Sequence, residues 1–162
     1  KRTPRSHPNN FSIRTGRRNV RTPLTGLDCN ILVQLALQDH PANSATIAAV
    51  KTEVQQGHFL VVPPLVINEF LHVVTDTRRF NPPLTMIEAL DWIEGFIANS
   101  AVKVPDTAHA SSHQTLQWIR KFNLGRKRIL DTYLAAILHS AGVKRLLTSN
   151  PADFSVFGSF EF

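Results

Sequence analysis

Short apolar segments alternate with segments of helical periodicity along most of this 162-residue sequence. Four of the apolar segments are strand-like: PLTGLD ending at Asp28, HFLVV closed by Pro63-Pro64, VKV at 102–104 and RLLT at 145–148. The segments between them place apolar residues three and four positions apart, as helices do. Strands that alternate with helices are typical of a parallel sheet covered on both faces. We therefore expect an α/β fold of three layers, with a central parallel sheet flanked by helices.

The predicted helices have recognisable start and stop residues. Thr85 is expected to cap the helix in MIEALDWIEGFIANS, and Asn43 or Ser44 the helix that runs through Gln56 and stops at Gly57. The remaining helices are predicted in NILVQLALQ, LVINEFLHVVTD, HASSHQTLQWIRKF and ILDTYLAAILHSAGV. In a parallel sheet of this kind, ligands bind beyond the carboxyl ends of the strands.

The positive charge of the chain is concentrated at its start. Residues 1–23 contain seven lysines and arginines and no acid, a charge of +7, whereas the whole chain carries +6, which leaves −1 for residues 24–162. This segment has few bulky apolar residues and three prolines, so we expect a disordered basic tail before a folded domain at 24–162. Two interpretations remain open: an arm that lies on nucleic-acid phosphates, or an extension without a function.

Length and cysteine content limit the class of protein. The folded part is long enough to form one domain with its own core. No apolar run reaches the roughly 20 residues that a membrane-spanning helix needs. A single cysteine, Cys29, excludes an internal disulfide and favours a reducing compartment, so we expect a cytoplasmic protein without a membrane segment.

Three carboxylates stand in unusually apolar surroundings. Asp28 closes the first predicted strand, Glu69 lies within VINEFLHVV, and Asp131 lies within ILDTYLAAIL. A polar cluster with Asn150 and Asp153 follows the last strand in TSNPADF. Asp28 and Asn150 should lie at strand carboxyl ends, with Glu69 and Asp131 on helices packed against that edge. Other acids lie on polar helix faces and are expected to be solvated: Glu53, Glu88, Asp91 and Glu94.

Each of the three acids also has a purely structural interpretation. Asp28 can cap the helix that follows it, and Asp131 can neutralise the N-terminus of its own helix. Glu69 has Arg78, Arg79 and His72 as possible partners. Taken together, however, clustered like charges repel one another unless a cation lies between them. Ligands that are all oxygen suit Mg²⁺ or Mn²⁺ rather than zinc.

The ordered set LDCNIL, INEF and ILDTYLAAILHSAGVKRLLTSNPADF resembles the PIN-domain nucleases, most closely the VapC type of bacterial toxin. The similarity covers about residues 24–162. It implies that Asp28, Glu69 and Asp131 match the acidic metal ligands of the family, and that Asp153 matches the Asp of its closing D-F. Asn150 stands where many members have a fourth Asp, which leaves open whether the site binds one ion or two. Asn30 and Thr148 match positions that orient ligands or a water, and Cys29 neighbours the site without being a ligand.

The resemblance also implies an activity. PIN-domain proteins of this type are Mg²⁺- or Mn²⁺-dependent endoribonucleases that cut single-stranded RNA, and the VapC type implies a small VapB-like antitoxin and a homodimer. The sequence adds a basic segment, RKFNLGRKR, in which Arg126, Lys127 and Arg128 can hold RNA phosphates beside Asp131. Its alternative is a solvated helix end. The rival for the whole protein is a PIN-like module that binds RNA or a protein without cutting.

Other catalytic classes fit poorly. His109 and His113 form half a zinc site at best, and their helix lacks the glutamate of a metalloprotease. A phosphatase with an aspartyl nucleophile at Asp28 would want a second Asp where Asn30 stands. No glycine-rich phosphate loop is present, which excludes a P-loop nucleotide enzyme.

Overall fold

One parallel sheet organises the part of the chain that the computed structural model describes, residues 22–106 and 109–162. Its strands are β1 (Leu24–Leu27), β2 (Phe59–Val61), β3 (Val102–Lys103) and β4 (Arg145–Leu147). They are ordered β3-β2-β1-β4, with Gly26 of β1 opposite Val61 on one side and Leu146 on the other. All four predicted strands are present, and the predicted α/β class is confirmed.

Seven helices cover the sheet in the described residues. They are α1 (Cys29–Ala36), α2 (Asn43–Gln55), α3 (Pro64–Val74), α4 (Met86–Ile97), α5 (His109–Lys121), α6 (Ile129–Ser140) and the short α7 (Pro151–Ser155). The chain passes from β1 to β2 to β3 in one direction and returns from β3 to β4 in the other. Right-handed crossovers therefore place α1–α4 on one face and α5–α6 on the opposite face. The observed packing agrees, because α1 contacts α2 and α3 while α6 contacts α5 and α7.

Helix starts were predicted unequally well. Thr85 caps α4 in a complete capping box, accepting a hydrogen bond from the Glu88 N–H while the Glu88 carboxylate accepts one from the Thr85 N–H. The predicted cap at Asn43 or Ser44 is wrong, because Asn43 is the first residue of α2 and its side chain does not cap the helix. Its amide instead donates to the carbonyl oxygen of Gln34, 2.8 Å away. A contact to the preceding helix has replaced the local cap.

The direction of the connections reverses at β1, which lies between β2 and β4. Such a switch point opens a crevice beyond the carboxyl ends of the two strands. The Asp28 N–H donates to the carbonyl oxygen of Leu147 at 3.1 Å, so pairing continues to the last residue of β4. The residues that follow β1 and β4 are thereby brought side by side.

Glu53 corrects one prediction, because it is buried rather than solvated. Only 6% of the residue is exposed, and it lies at the opposite end of the sheet. Its carboxylate accepts hydrogen bonds from the Thr25 hydroxyl at 2.5 Å and from Arg145 at 3.0 Å, and His58 Nδ1 lies 2.8 Å away. Burial raises the pKa of Glu53, but these partners outweigh burial and leave the pKa below its usual value. Sequence spacing could not reveal partners on three other elements.

None of the helices in the described residues has the length and apolarity that crossing a bilayer requires. Most of the predicted basic tail, residues 1–21, lies outside the described residues.

Gly26 lies where β1 passes closest to α6, and this contact gives a stability prediction. A Cβ atom there would lie 2.8 Å and 2.9 Å from the two methyl carbons of Leu138, a side chain with no exposed surface. Because overpacking a tight core costs about 1–3 kcal/mol, Gly26→Ala should lower the free energy of unfolding in urea by about that amount. Gly95→Ala, at an exposed position of α4 with open space around it, should instead raise stability by roughly 0.5–1 kcal/mol. Equal effects of the two substitutions would contradict the packing described here.

Candidate active site

A cavity of about 340 Å³ opens at the carboxyl ends of β1 and β4. Four of the five residues predicted as catalytic border it: Asp28, Glu69, Asp131 and Asn150. They come from four parts of the chain, namely the end of β1, the middle of α3, the first turn of α6 and the loop after β4. The fold thus brings together on one cavity the polar residues that the sequence spreads over more than a hundred positions.

Asp28 is the most firmly held of the four residues. It is the N-cap of α1, and its Oδ1 accepts a hydrogen bond from the Cys29 N–H at 2.7 Å. Its Oδ2 accepts from the Asn30 amide and from the Thr148 hydroxyl, both at 2.7 Å. The structural role considered for Asp28 is therefore real, and it does not remove the carboxylate from the cavity. One carboxylate caps a helix and faces the site.

Asn30 and Thr148, predicted as supporting residues, connect the ends of β1 and β4. The Asn30 side chain accepts a hydrogen bond from the Ser149 N–H at 3.1 Å through its oxygen. Thr148 accepts one from the Asn150 N–H at 3.0 Å while its own hydroxyl donates to Asp28. Gln34, which the sequence did not single out, donates to the Ser149 hydroxyl at 2.7 Å. These bonds fix the loop that carries Asn150 relative to the Asp28 carboxylate.

Burial raises the pKa of all three carboxylates, and the charges of neighbouring acids add to it. Burial is the main reason that the pKa of Asp28 lies above its ordinary value, in spite of its three hydrogen bonds. Burial also raises the pKa of Glu69, and the negative charges of Asp28 and Asp131 raise it further. The pKa of Asp131 is raised by burial first, while Arg128 opposes that rise. Such shifts indicate carboxylates that have too few positive partners for their number.

Arg128 contacts two of the predicted site acids at once. Its Nε lies 3.3 Å from Oδ2 of Asp131, and its Nη1 lies 3.1 Å from Oδ1 of Asp153. Its Nη2 also donates to the backbone carbonyl of Asp153. Asp153 does not border the cavity, but its negative charge adds to burial in raising the pKa of both Asp28 and Asp131. The sequence placed Arg128 with Arg126 and Lys127 in an RNA-binding segment, and only the latter two have exposed side chains.

Two basic residues at the rim of the cavity were not predicted for the site. Arg79 and His40 both border it. Arg79 was considered as a partner of Glu69, and its charge does oppose the rise in the pKa of Glu69. Arg78, the neighbouring candidate, is paired with Asp76 at 3.1 Å, and Arg79 Nε also lies 3.7 Å from the Asp76 carboxylate. His40 could not be found from the sequence, since it is distant from every acid of the set.

Cys29 borders the cavity as a buried thiol, with 5% of the residue exposed. Burial, and then the charges of Glu69 and Asp28, raise the pKa of this thiol far above its ordinary value. Because the thiolate is the form that attacks substrates, a thiol held protonated is a poor nucleophile at neutral pH.

The side chains around the cavity suit a hard divalent cation in their chemistry. Three carboxylates and one amide oxygen are the donors that Mg²⁺ and Mn²⁺ prefer. These side chains do not converge on a single point, because in the described residues no three Asp, Glu, His or Cys side chains lie close enough together to share one ion. Binding an ion there would need the carboxylates of Glu69 and Asp131 to turn further toward Asp28, which is itself fixed by three hydrogen bonds.

Solved structures of bacterial toxin proteins share this architecture. VapC20 of Mycobacterium tuberculosis, described as a toxin that cleaves the sarcin-ricin loop, matches with a TM-score of 0.62 and 12% identity, over 85% of this chain and 98% of that chain. VapBC2 of Rickettsia felis, solved with a DNA fragment from its promoter, gives a TM-score of 0.62, 13% identity and coverages of 85% and 96%. VapBC-1 of nontypeable Haemophilus influenzae matches with a TM-score of 0.60 and 18% identity, over 85% of this chain and 95% of that chain.

No protein-family model matches the chain, and no curated protein matches its sequence. The likeness therefore lies in the arrangement of the strands and helices. The predicted PIN-like architecture is confirmed, and the chain has the fold of VapC20 and of the VapBC proteins.

Proposed function

We propose that the chain is a metal-dependent endoribonuclease that hydrolyses phosphodiester bonds of single-stranded RNA, and that it is the toxin of a toxin–antitoxin pair. The proposed catalytic residues are Asp28, Glu69, Asp131, Asn150 and Asp153, the first three of them also the metal ligands. Asn30 and Thr148 orient Asp28, and the cofactor is Mg²⁺ or Mn²⁺.

One observation carries this proposal: three carboxylates with raised pKa values border a single cavity at the switch point of the sheet. Buried structural acids normally acquire full sets of partners, as Glu53 does in this protein. Glu69 and Asp131 instead repel each other and Asp28, which is the electrostatic arrangement of an unsatisfied cation site. The fold shared with VapC20, which is described as a sarcin-ricin loop cleaving toxin, supports the same reaction class.

The proposed chemistry follows from the charge of the substrate. A phosphodiester is anionic and repels an attacking hydroxide. A bound divalent ion screens that charge, lowers the pKa of a water molecule and stabilises the leaving oxygen. The residues of the chain would hold the ion in place. Asp28, Glu69 and Asp131 would supply the negative charge for one ion, and Asn150 would add a neutral oxygen at the rim of the same cavity.

The RNA strand would be held by basic residues on either side of the acids. Arg126 and Lys127 are exposed in the 3-10 turn that precedes Asp131. On the other side of the cavity, Arg79 lies at the rim. Positive side chains that flank a metal centre bind the phosphates adjacent to the one that is cut, without reading the sequence of the RNA.

A PIN-like module that binds RNA or a protein without cutting is the second candidate. Two observations favour it: Asn150 is neutral, and the carboxylates are not gathered closely enough to share an ion as they stand. Because the two candidates differ only in hydrolysis, cleavage by the purified protein separates them.

The proposed partners are a small VapB-like antitoxin and a second copy of the chain. The fold is shared with proteins solved as VapBC and FitAcB. A cytoplasmic location fits both the RNA substrate and the single, buried, reduced cysteine.

Asp28→Asn tests the proposed reaction most cleanly. Asparagine is as good an N-cap as aspartate, so the start of α1 should survive while one negative charge is lost from the site. Substitutions that only disturb the partners of metal ligands cost about 10–100-fold in activity, and loss of a ligand charge should therefore lower RNA cleavage with Mg²⁺ or Mn²⁺ by about 100-fold or more. The measurement is single-turnover cleavage of a labelled single-stranded RNA, with circular dichroism to verify folding.

Asp91→Asn is the matched control, since Asp91 is an exposed acid on α4. It should cleave at the wild-type rate. Cleavage that persists in Asp28→Asn would refute the metal–carboxylate mechanism, and no cleavage of any RNA by the wild-type protein with either ion would favour the binding module.

Glu69→Gln gives a prediction for the metal-free protein. Burial and the neighbouring acids raise the pKa of Glu69, so the folded protein keeps a proton that the unfolded chain releases near the ordinary Glu value of 4.5. The contribution of Glu69 to the free energy of unfolding of the wild type therefore falls as the pH rises from 4.5 through the raised pKa. The stability gained by Glu69→Gln over wild type should accordingly grow as the pH rises above the ordinary Glu value of 4.5, and become constant once the pH exceeds the raised pKa, as measured by urea unfolding in EDTA. Glu94→Gln, at an exposed position, should show no such trend, and an equal trend in both variants would contradict the proposed repulsion.

The proposed partnership predicts a stable complex. The product of a gene immediately upstream that encodes a short DNA-binding protein should co-purify with the chain and suppress its RNA cleavage. Alone, the chain should sediment as a dimer in analytical ultracentrifugation. A monomer with full cleavage activity would contradict the proposed dimer. If the upstream gene product did not form a complex on co-expression, it would not be the antitoxin.

A further inference from the structure

Arg128 is a positive side chain built into the acidic site, placed between Asp131 and Asp153. Its side chain is 26% exposed, so it is not a freely solvated cation. Its backbone carbonyl accepts a hydrogen bond from the Thr132 hydroxyl at 2.6 Å in the first turn of α6. The backbone thus places this arginine at the start of the helix that carries Asp131.

The two contacts of Arg128 are unequal. Asp153 is bound twice, through its carboxylate at 3.1 Å and through its backbone carbonyl. Asp131 is contacted only by Nε at 3.3 Å, and this Nε is buried without a hydrogen bond of acceptable geometry in the described residues. A buried donor that lacks a well-placed acceptor is costly. Asp131 borders the cavity and Asp153 does not, so an ion in the cavity would draw on the contact of Arg128 to Asp131 rather than on its contacts to Asp153.

Asp131 faces charges of both signs. On the side of the cavity it is repelled by Asp28, and its own charge acts on Glu69. On the side of Arg128, the guanidinium attracts it and the Asp153 carboxylate repels it. A divalent ion in the cavity would attract the same carboxylate from the other direction, with twice the charge.

We propose that Arg128 competes with the divalent ion for Asp131 and keeps Asp153 out of the coordination of that ion. This inference rests on the proposed function, because it assigns a role to Arg128 at the same site. When the ion binds, Asp131 turns from Arg128 to the cavity, while Asp153 stays with the guanidinium. The site then holds one ion between Asp28, Glu69 and Asp131, and the arginine takes the place that a second ion would have beside Asp153. Arg128 is thus a positioning residue that sets ion affinity and number.

The test is Mn²⁺ binding by the full chain without RNA, measured by isothermal titration calorimetry on the wild type, Arg128→Gln and Lys127→Gln. An adjacent arginine changes the proton affinity of a carboxylate by roughly 10-fold or more. Arg128→Gln should therefore bind Mn²⁺ about 10-fold more tightly than the wild type. Lys127→Gln removes the same charge from an exposed neighbour that contacts neither acid, and should change the affinity by less than about 3-fold. The wild type should bind one ion per chain.

The possible results are distinct. Equal or weaker Mn²⁺ binding by Arg128→Gln, with binding by the wild type intact, would overturn the role of Arg128 and leave the proposed function standing. An equal increase in Mn²⁺ affinity in Arg128→Gln and Lys127→Gln would show that only the net charge matters, and would also overturn the role of Arg128. No Mn²⁺ binding by any of the three proteins would overturn both proposals.

A second measurement uses the wild-type protein and does not depend on the folding of a variant. The Nε–H resonance of Arg128 should shift on titration with Mg²⁺ as Nε loses Asp131, with the same midpoint as the heat of Mg²⁺ binding measured on the same protein. A resonance that stays unchanged at saturating Mg²⁺ would contradict the release of Asp131.

Discussion

The repulsion among three half-buried carboxylates is the constraint on which the arrangement of this protein depends. Asp28, Glu69 and Asp131 come from three elements and border one cavity, with pKa values raised by burial. Such a cluster can persist only if the surrounding structure holds it. The pairing of β1 with β4 does so, since Asn30 and Thr148 bind Asp28 across the ends of the two strands. The stability of the sheet thus offsets the electrostatic cost of the site.

Two buried acids in this molecule show the difference between a structural charge and a functional one. Glu53, at the amino ends of the strands, has a hydroxyl and a guanidinium as donors, with His58 within 2.8 Å, and its pKa is lowered. Glu69, at the other end of the sheet, has acids as near neighbours, and its pKa is raised. The same side chain type is satisfied at one edge and left with an excess of negative charge at the other. Arg128 compensates part of this excess from within the chain.

The sequence predicts the features that depend on local pattern. The four strands, the cap at Thr85 and the position of Asp28 at a strand end all follow from spacing and residue type. Convergence of Asp28 and Asn150 was also predictable, because parallel strands bring their carboxyl ends to the same edge. The ordered acidic motifs correctly indicated the PIN-like fold, although identity to the solved structures is 12–18%.

What the sequence could not predict depends on contacts between distant elements. The partners of Glu53 lie up to 92 residues away, and those of Gln34 up to 115. The pairing of Arg128 with Asp153 spans 25 residues and requires α6 and α7 to pack together. Arg79 and His40 reach the cavity only because the loops after α1 and α3 meet above it. No periodicity in the chain encodes such contacts.

A crystal structure with Mn²⁺, located by its anomalous scattering, tests the central claim most directly. We expect one anomalous peak between the carboxylates of Asp28, Glu69 and Asp131, with Arg128 still bound to Asp153. In a crystal soaked in saturating Mn²⁺, the absence of a peak in this cavity, or a peak only elsewhere in the protein, would contradict this expectation.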